Sequence, residues 1–446
     1  MRIKTWVAAL GLACAAAVQA AAPPAYFVDA TKLPFDALPG TSTQRLWGVH
    51  NGAGYRIEVP ANWNGRLVMW AHGYRGTGLE LTVDNHPLRA LLVAQGYAWA
   101  ASSYSRNAYD PSTGAKDTHA LTQFFNGRVG KPVKTYITGA SMGGHVTGVV
   151  AEQWPQSYDG AMPVCGVLGD VELFDYFLDF NLGAQTLSGQ NKSYPFAADY
   201  LAATVPATKA ALGPAFPYLL NAGGQALYGL TQMRSGGVRP IFQQGWLYWN
   251  GLVPGDFLFG LGVGDGTLPR QPGVAVQNSA TIYQFDGDPA LSAPESAFNA
   301  VVQRITADPQ ARRRNGLANV TPLNGNLKVP MLTLHTLGDL FVPFHMEQAY
   351  ARRVAAHGAS GLLVQRATRD VGHCAFTGTE LATTFLDLVK WVEQGVKPAG
   401  DNVLDPAVVA QPTYGCTFSD KAAPRVWDSP AWAAAGLPKP AACPAN

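Results

Sequence analysis

The chain has 446 residues, which is enough for a sizeable hydrophobic core, and only 14% of them are charged. The formal net charge is +2. This near neutrality argues against the basic face that a nucleic-acid partner requires and against strong steering of charged substrates. Apolar residues make up 47% of the chain, but no run beyond the N-terminus is long enough for a membrane span. The composition leaves the oligomeric state open.

The first 20 residues have the pattern of a signal peptide. Arg2 and Lys4 give a positive start, and residues 6–18 form an apolar run too short to cross a bilayer. Small residues at Val18 and Ala20 then suit a signal peptidase. A buried N-terminal helix is the alternative. We therefore expect a secreted or periplasmic protein, with 30 basic and 30 acidic residues left after cleavage.

Strand and helix patterns alternate along two parts of the chain. Strands are predicted at residues 66–71, 97–101, 133–138, 161–165, 329–335 and 362–366, and helices at 88–95, 116–125, 144–154, 346–357 and 379–394. This alternation predicts an α/β fold with a mostly parallel sheet and helices on both faces.

The alternation is interrupted in the middle of the chain, which suggests an insertion. Residues 166–327 are rich in Gly and aromatic residues. Because a loop of this length without structure of its own is improbable, we expect a large, mainly helical cap. The core would then comprise residues 21–165 and residues 328–446, and the second part would end in a Pro- and Ala-rich tail.

A serine lies between the strand at 133–138 and the helix at 144–154. Gly139-Ala140-Ser141-Met142-Gly143 fits the G-x-S-x-G pattern of a nucleophile elbow. In such an elbow a strained strand-to-helix turn lifts the serine hydroxyl above the sheet. An ordinary glycine-rich turn is the alternative, but the strand before and the helix after favour Ser141 as a nucleophile.

A serine hydroxyl needs a base, and His373 is the predicted one. Of the other downstream histidines, His335 lies inside a predicted strand, and His357 precedes a helix-ending glycine. His373 lies in the loop between the last strand and the closing helix, at the sheet edge where Ser141 is expected.

An acid should orient the imidazole and stabilise its charged form. Asp339 follows the strand at 329–335 and precedes His373 by 34 residues, so it is our prediction for this role. Its alternative role is to cap the next helix. Asp370 is the competitor, but a position three residues before His373 suits a residue that shapes the loop.

Two backbone N–H groups should stabilise the developing oxyanion. The first is predicted to be that of Met142, directly after the nucleophile. The second should come from the loop after the strand at 66–71, where Tyr74 is our choice and Gly73 the alternative. His72, in the same loop, is equally compatible with a structural role.

These motifs resemble those of α/β-hydrolases over residues 60–165 and 328–395. The resemblance implies that fold and the roles given above for Ser141, Asp339 and His373. Cys374, directly after the predicted base, is similar to a cysteine of tannase and feruloyl-esterase-like enzymes. Those enzymes carry a second cysteine directly before the serine, where this chain has Ala140. Residues 102–121 also resemble a segment of secreted prolyl-oligopeptidase-like hydrolases.

Cleavage of the signal peptide leaves an even number of cysteines, which suggests two disulfides. They are Cys165, Cys374, Cys416 and Cys443. Three pairings are open, and we favour Cys374 with Cys416, which would tie the loop of His373 to the C-terminal tail.

Two other groups of residues have both a structural and a functional interpretation. His145, one turn after Ser141, is expected to pack against the fold. The aromatic group Trp246, Tyr248 and Trp249 could line a substrate cleft, although cap aromatics more often form a core. No histidine pair at helical spacing and no acidic cluster indicates a metal, and we expect no cofactor.

The expected function is hydrolysis of a carboxylic ester through an acyl-enzyme. The weak charge and the aromatic-rich cap favour an uncharged, apolar or aromatic ester, either small or oligomeric. A serine peptidase of the prolyl-oligopeptidase-like type is the alternative, and a non-catalytic binding protein on the same scaffold is a third hypothesis.

Overall fold

The computed structural model describes residues 25–263, 274–312 and 320–444. The predicted signal peptide lies outside the described residues. Within them, no helix combines the length and apolar character that crossing a bilayer requires.

A mixed sheet forms the centre of the molecule. In chain order the strands are β1 (Phe27–Val28), β2 (Thr43–His50), β3 (Ala53–Pro60), β4 (Arg66–Ala71), β5 (Glu80–Leu81), β6 (Ala98–Ser102), β7 (Lys134–Ala140), β8 (Gly160–Val164), β9 (Met331–Thr336) and β10 (Leu363–Thr368). Eight of them pair in the order β10-β9-β8-β7-β4-β6-β3-β2, and β1 pairs separately with β5. Pairing is parallel from β10 to β6 and antiparallel at β3 and β2.

Helices cover both faces of this sheet. They are α1 (Arg89–Ala94), α2 (Pro111–Arg128), α3 (Met142–Gln153), α11 (His345–Ala356) and α12 (Gly378–Gln394). Apolar residues of α1 and α12 enter one buried cluster, and those of α2, α3 and α11 enter another. The predicted mostly parallel sheet with helices on both faces is therefore confirmed.

Between β8 and β9 the described chain is mainly helical. The helices are α4 (Glu172–Ser188), α5 (Val205–Leu212), α6 (Ala222–Arg234), α7 (Phe242–Leu247), α8 (Phe257–Gly260), α9 (Ala293–Val301) and α10 (Pro309–Arg312), with π-helical turns at Tyr200–Thr204 and Tyr248–Leu252. We call residues 166–327 the insert.

The rest of the chain contains short helices. The tail has α13 (Pro406–Val409), α14 (Pro430–Ala434) and a 3₁₀ turn at Val426–Asp428, and further 3₁₀ turns lie at Ala30–Lys32 and Ser360–Leu362.

Helix α2 begins five residues before its predicted start at residue 116. The side chain of Asp110 accepts a hydrogen bond from the Thr113 amide at 2.9 Å, and Pro111 occupies the first turn. An aspartate cap followed by proline is a strong start signal because it satisfies a free amide and fixes the backbone angle. The apolar periodicity alone did not include this turn.

The disulfides correct the expected pairing of Cys374 with Cys416. Cys165 is bonded to Cys374, and Cys416 to Cys443. Cys165 directly follows β8, so it lies at the sheet edge to which the loop of His373 returns. Cys416 instead closes a loop within the tail.

Candidate active site

Ser141 lies on a sharp turn between β7 and α3. Its backbone has φ 60° and ψ −123°, in a region that residues with a Cβ rarely occupy. A Cβ on Gly139 would overlap the backbone of Gly143, and one on Gly143 would overlap the carbonyl oxygen of Ala71. The two glycines of the motif are therefore required because backbone segments pass directly against them.

One predicted oxyanion donor, the Met142 amide, lies in this turn, and the loop of the other passes beside it. Met142 is the first residue of α3, so its amide has no acceptor within the helix. On the other side, a Cβ built on Gly73 would lie 3.2 Å from Cβ and 3.7 Å from Oγ of Ser141. The loop containing Gly73 and Tyr74 thus passes beside the hydroxyl.

His72 supports this loop from beneath. Its side chain is buried, lies 3.9 Å from the ring of Tyr104 between centroids, and has its ring nitrogens 2.7 Å from the Gly73 oxygen and 3.0 Å from the Ser103 oxygen. Burial lowers the pKa of His72 to about 3. These contacts give it a structural role.

Asp339 and His373 are in direct contact. Nδ1 of His373 lies 2.6 Å from Oδ2 of Asp339, which is fully buried. The other carboxylate oxygen accepts hydrogen bonds from the amides of Phe341 and Val342, at 2.9 and 3.1 Å. Nε2 of His373 is buried and has no hydrogen-bond partner among the described residues, Ser141 included. The carboxylate is fixed by the backbone and in turn fixes the imidazole.

A disulfide ties His373 to the strand beside the serine. The amide of Ser141 donates to the oxygen of Val164 at 3.1 Å, and Cys165 follows Val164. Cys165 is bonded to Cys374, and a ring nitrogen of His373 lies within 4.8 Å of both sulfur atoms. The three predicted residues therefore lie at the same edge of the sheet.

Asp370, the competing acid, shapes the loop of His373. Its Oδ1 accepts hydrogen bonds from the amides of Val371 and Gly372, at 2.7 and 3.2 Å, and its Oδ2 lies 3.8 Å from Arg425. Burial raises the pKa of the Asp370 carboxyl.

Of the other histidines considered from the sequence, two are engaged in packing and one is exposed. His145 is buried between the hydroxyl of Tyr109, at 2.9 Å, and a backbone oxygen at 2.7 Å. His335 is buried inside β9, where Nδ1 lies 3.3 Å from the carboxylate of Glu347. His357 is exposed at the end of α11.

The aromatic group of the insert divides into two environments. Trp246 is buried within the insert and donates its indole N–H to the Pro217 oxygen at 3.1 Å. Trp249 instead donates to the oxygens of Gly338 and Val371, in the loops of Asp339 and His373. This difference could not be predicted from the sequence, because both residues lie in one apolar, aromatic run.

The ring of Phe341 was missed by the sequence interpretation. It contacts His373 edge-on, with centroids 5.0 Å apart, and it also contacts Phe177 and Phe257 of the insert. Its only sequence signal is its position two residues after Asp339, in a loop already singled out.

A few known proteins are similar to this chain at low sequence identity. No family model matches the chain. O-phthalyl amidase from Xanthobacter agilis is 21% identical over 409 residues, which cover 80% of this chain and 89% of that protein. Feruloyl esterase B from Aspergillus oryzae superposes with a TM-score of 0.46 at 14% identity, covering 85% of this chain and 86% of that one. An esterase from Aspergillus oryzae has a TM-score of 0.39 at 15% identity, covering 80% and 81%.

The strand–turn–helix at Ser141, within a sheet of this topology, is that of the α/β-hydrolase fold. The chain therefore has the fold that its motifs predicted.

Proposed function

We propose that this protein hydrolyses carboxylic esters through an acyl-enzyme, with Ser141 as nucleophile, His373 as base and Asp339 as acid. The observation that carries the proposal is the 2.6 Å contact between Asp339 and Nδ1 of His373. Nε2 has no hydrogen-bond partner within the part of the chain that the structure describes. A carboxylate held in this way fixes the tautomer in which Nε2 can accept a proton.

The reaction would follow from these positions. Oγ of Ser141 attacks the ester carbonyl carbon while Nε2 of His373 accepts its proton. The amides of Met142 and Tyr74 stabilise the oxyanion. The intermediate then expels the alcohol, which takes the proton from His373. Water, activated by the same nitrogen, releases the acid and restores Ser141.

The surroundings of His373 favour an apolar or aromatic group on the substrate. The rings of Phe341, Phe177 and Phe257 form a continuous series that starts at the imidazole and continues into the insert. Aromatic faces and edges attract other rings and exclude water. We propose that the insert is a cap that contributes this surface and that the substrate is uncharged, either small or oligomeric.

Amide hydrolysis is the second candidate, because the curated relative is an amidase. A peptidase that binds a free amino terminus would need an available carboxylate. Three glutamates of α3, α4 and α11 are engaged: Glu152 with two amides and a tyrosine, Glu172 with Arg353, and Glu347 with Thr333. These contacts favour esters or small amides over peptides.

We also propose that the protein is exported. The four cysteines among the described residues form two disulfides, and such bonds persist in oxidising compartments.

Labelling and turnover test the proposal together. A fluorophosphonate probe should label the wild type and the control Ser360→Ala, whose serine is exposed, but not Ser141→Ala. Turnover of p-nitrophenyl esters should exceed that of matched anilides. Faster anilide turnover would favour the amidase, and a wild type that neither reacts nor turns over would indicate a binding protein.

A further inference from the structure

We propose that Trp249 of the insert is a positioning residue that holds the loops of Asp339 and His373 at a fixed distance from each other. The inference rests on the proposed function. It extends that function by making the insert part of the support of the catalytic residues, in addition to a cover for substrate.

One indole N–H joins the two loops. Nε1 of Trp249 lies 3.1 Å from the oxygen of Gly338 and 2.9 Å from the oxygen of Val371. Gly338 directly precedes Asp339, and Val371 precedes His373 by two residues. A donor shared by both carbonyls fixes the distance between the segments from which the carboxylate and the imidazole project.

The two loops also contact each other directly, because the amide of Gly338 donates to the oxygen of Asp370 at 2.9 Å. The Trp249 N–H adds a bond from the insert to both sides of this contact. A Cβ on Gly338 would lie 2.8 Å from the oxygen of Asp370 and 2.9 Å from Cα of Val371. On the opposite side, a Cβ on Gly245 would overlap the oxygen of Gly338. The segment before Asp339 is therefore sandwiched between the insert and the loop of His373, and Trp249 lies one helical turn after Gly245.

A second insert residue contacts the same segment. Nε of Arg239 donates to the oxygen of Leu337 at 2.8 Å. Two consecutive carbonyls before Asp339 are thus bound by the insert. Because Trp249 is 5% exposed, water has little access to replace its N–H.

Trp246 provides a matched control for Trp249. Both are buried tryptophans of the same aromatic run, and both donate to backbone oxygens. The acceptor for Trp246 is Pro217, inside the insert. Trp249→Phe and Trp246→Phe each remove an N–H and part of a ring, but only the first removes a contact to the catalytic loops.

The experiment compares the two variants with the wild type in ester turnover, fluorophosphonate labelling rate and thermal unfolding. We expect Trp249→Phe to lower kcat and the labelling rate by about tenfold to hundredfold, with KM changed less than about twofold, because small displacements of reacting groups have effects of this size. Trp246→Phe should keep kcat within about twofold of the wild type, even if its Tm falls as much as that of Trp249→Phe.

Equal kcat for the wild type and Trp249→Phe, or equal losses in both variants, would overturn the inference while leaving the proposed function intact. A wild type that the probe does not label would overturn both. Should Trp249→Phe fail to fold, benzothienylalanine at this position keeps the bicyclic ring and replaces the N–H donor with sulfur, which cannot donate a hydrogen bond. The same loss of kcat is expected, and wild-type kcat would refute the role.

Discussion

Removal of the Cys165–Cys374 disulfide tests the geometry of the site more directly than any single substitution. Cys374 directly follows His373, and Cys165 directly follows the strand that pairs with the strand of the serine. Replacing both cysteines with alanine cuts the covalent link that holds the predicted base at this edge of the sheet. The Cys416–Cys443 disulfide, confined to the tail, serves as the matched control.

The expected stability losses follow from the sequence separations. The Cys165–Cys374 bond spans 209 residues and the Cys416–Cys443 bond spans 27. Each bond restricts the unfolded chain and so raises the free energy of unfolding. Its removal should therefore lower that free energy by about 5 kcal/mol for the first bond and about 3.5 kcal/mol for the second. The two stability losses are of similar size, but only the first variant releases the loop of the proposed base, His373. We expect its kcat to fall by about tenfold or more and that of the control to stay within about twofold.

Urea unfolding followed by tryptophan fluorescence measures both losses, and ester turnover per folded molecule gives kcat. Wild-type kcat in the variant that lacks Cys165–Cys374 would refute the argument that this bond positions His373. A control variant that loses as much kcat would also refute it, because the loss would then follow from general destabilisation.

Three further predictions concern single residues. Asp339→Asn should lower kcat by about 10³- to 10⁴-fold, because an amide cannot select the required tautomer, whereas Asp370→Asn should cost far less in the same turnover assay. Gly143→Ala should yield little folded protein, because its Cβ would overlap a strand carbonyl. Gly127→Ala is the control: it lies in open space on α2, so it should raise the free energy of unfolding by about 0.5–1 kcal/mol in urea titrations. Burial lowers the pKa of His86 to about 3 from 6.5. The unfolded chain therefore protonates His86 as the pH falls below 6.5, whereas the folded chain protonates it only near pH 3. Because protonation favours the unfolded chain in this range, His86 should lower the free energy of unfolding by about 2 kcal/mol at pH 5. In His86→Asn, the fall in unfolding free energy from pH 7 to pH 5 should be about 2 kcal/mol smaller than in the wild type. An equal fall in both proteins would contradict the lowered pKa of His86.

The features that the sequence predicted well are encoded by neighbouring residues. Strand β4 spans the predicted residues 66–71, and the turn at Ser141 has the strained backbone that its two glycines indicated. Asp339 and His373 could be selected because each follows a strand, and parallel strands end at one edge of the sheet.

The features that the sequence did not predict depend on contacts between distant segments. Trp249 and Val371 are 122 residues apart, and Cys165 and Cys374 are 209 apart. No local pattern encodes such pairs, since each requires the fold to exist first. The hairpin of β2 and β3 was also missed. It lies at an edge of the sheet where Trp47 and Val49 remain exposed, so its burial pattern is weak.

The backbone contact between Gly245 and Gly338 has a consequence for engineering and for divergence. An insert from another protein of this fold could replace this one only if it placed a glycine, or a backbone segment without a side chain at this point, against Gly338. Exchange of the insert is thereby limited by this one backbone contact. Loops of the insert that do not approach Gly338 are better starting points for redesign.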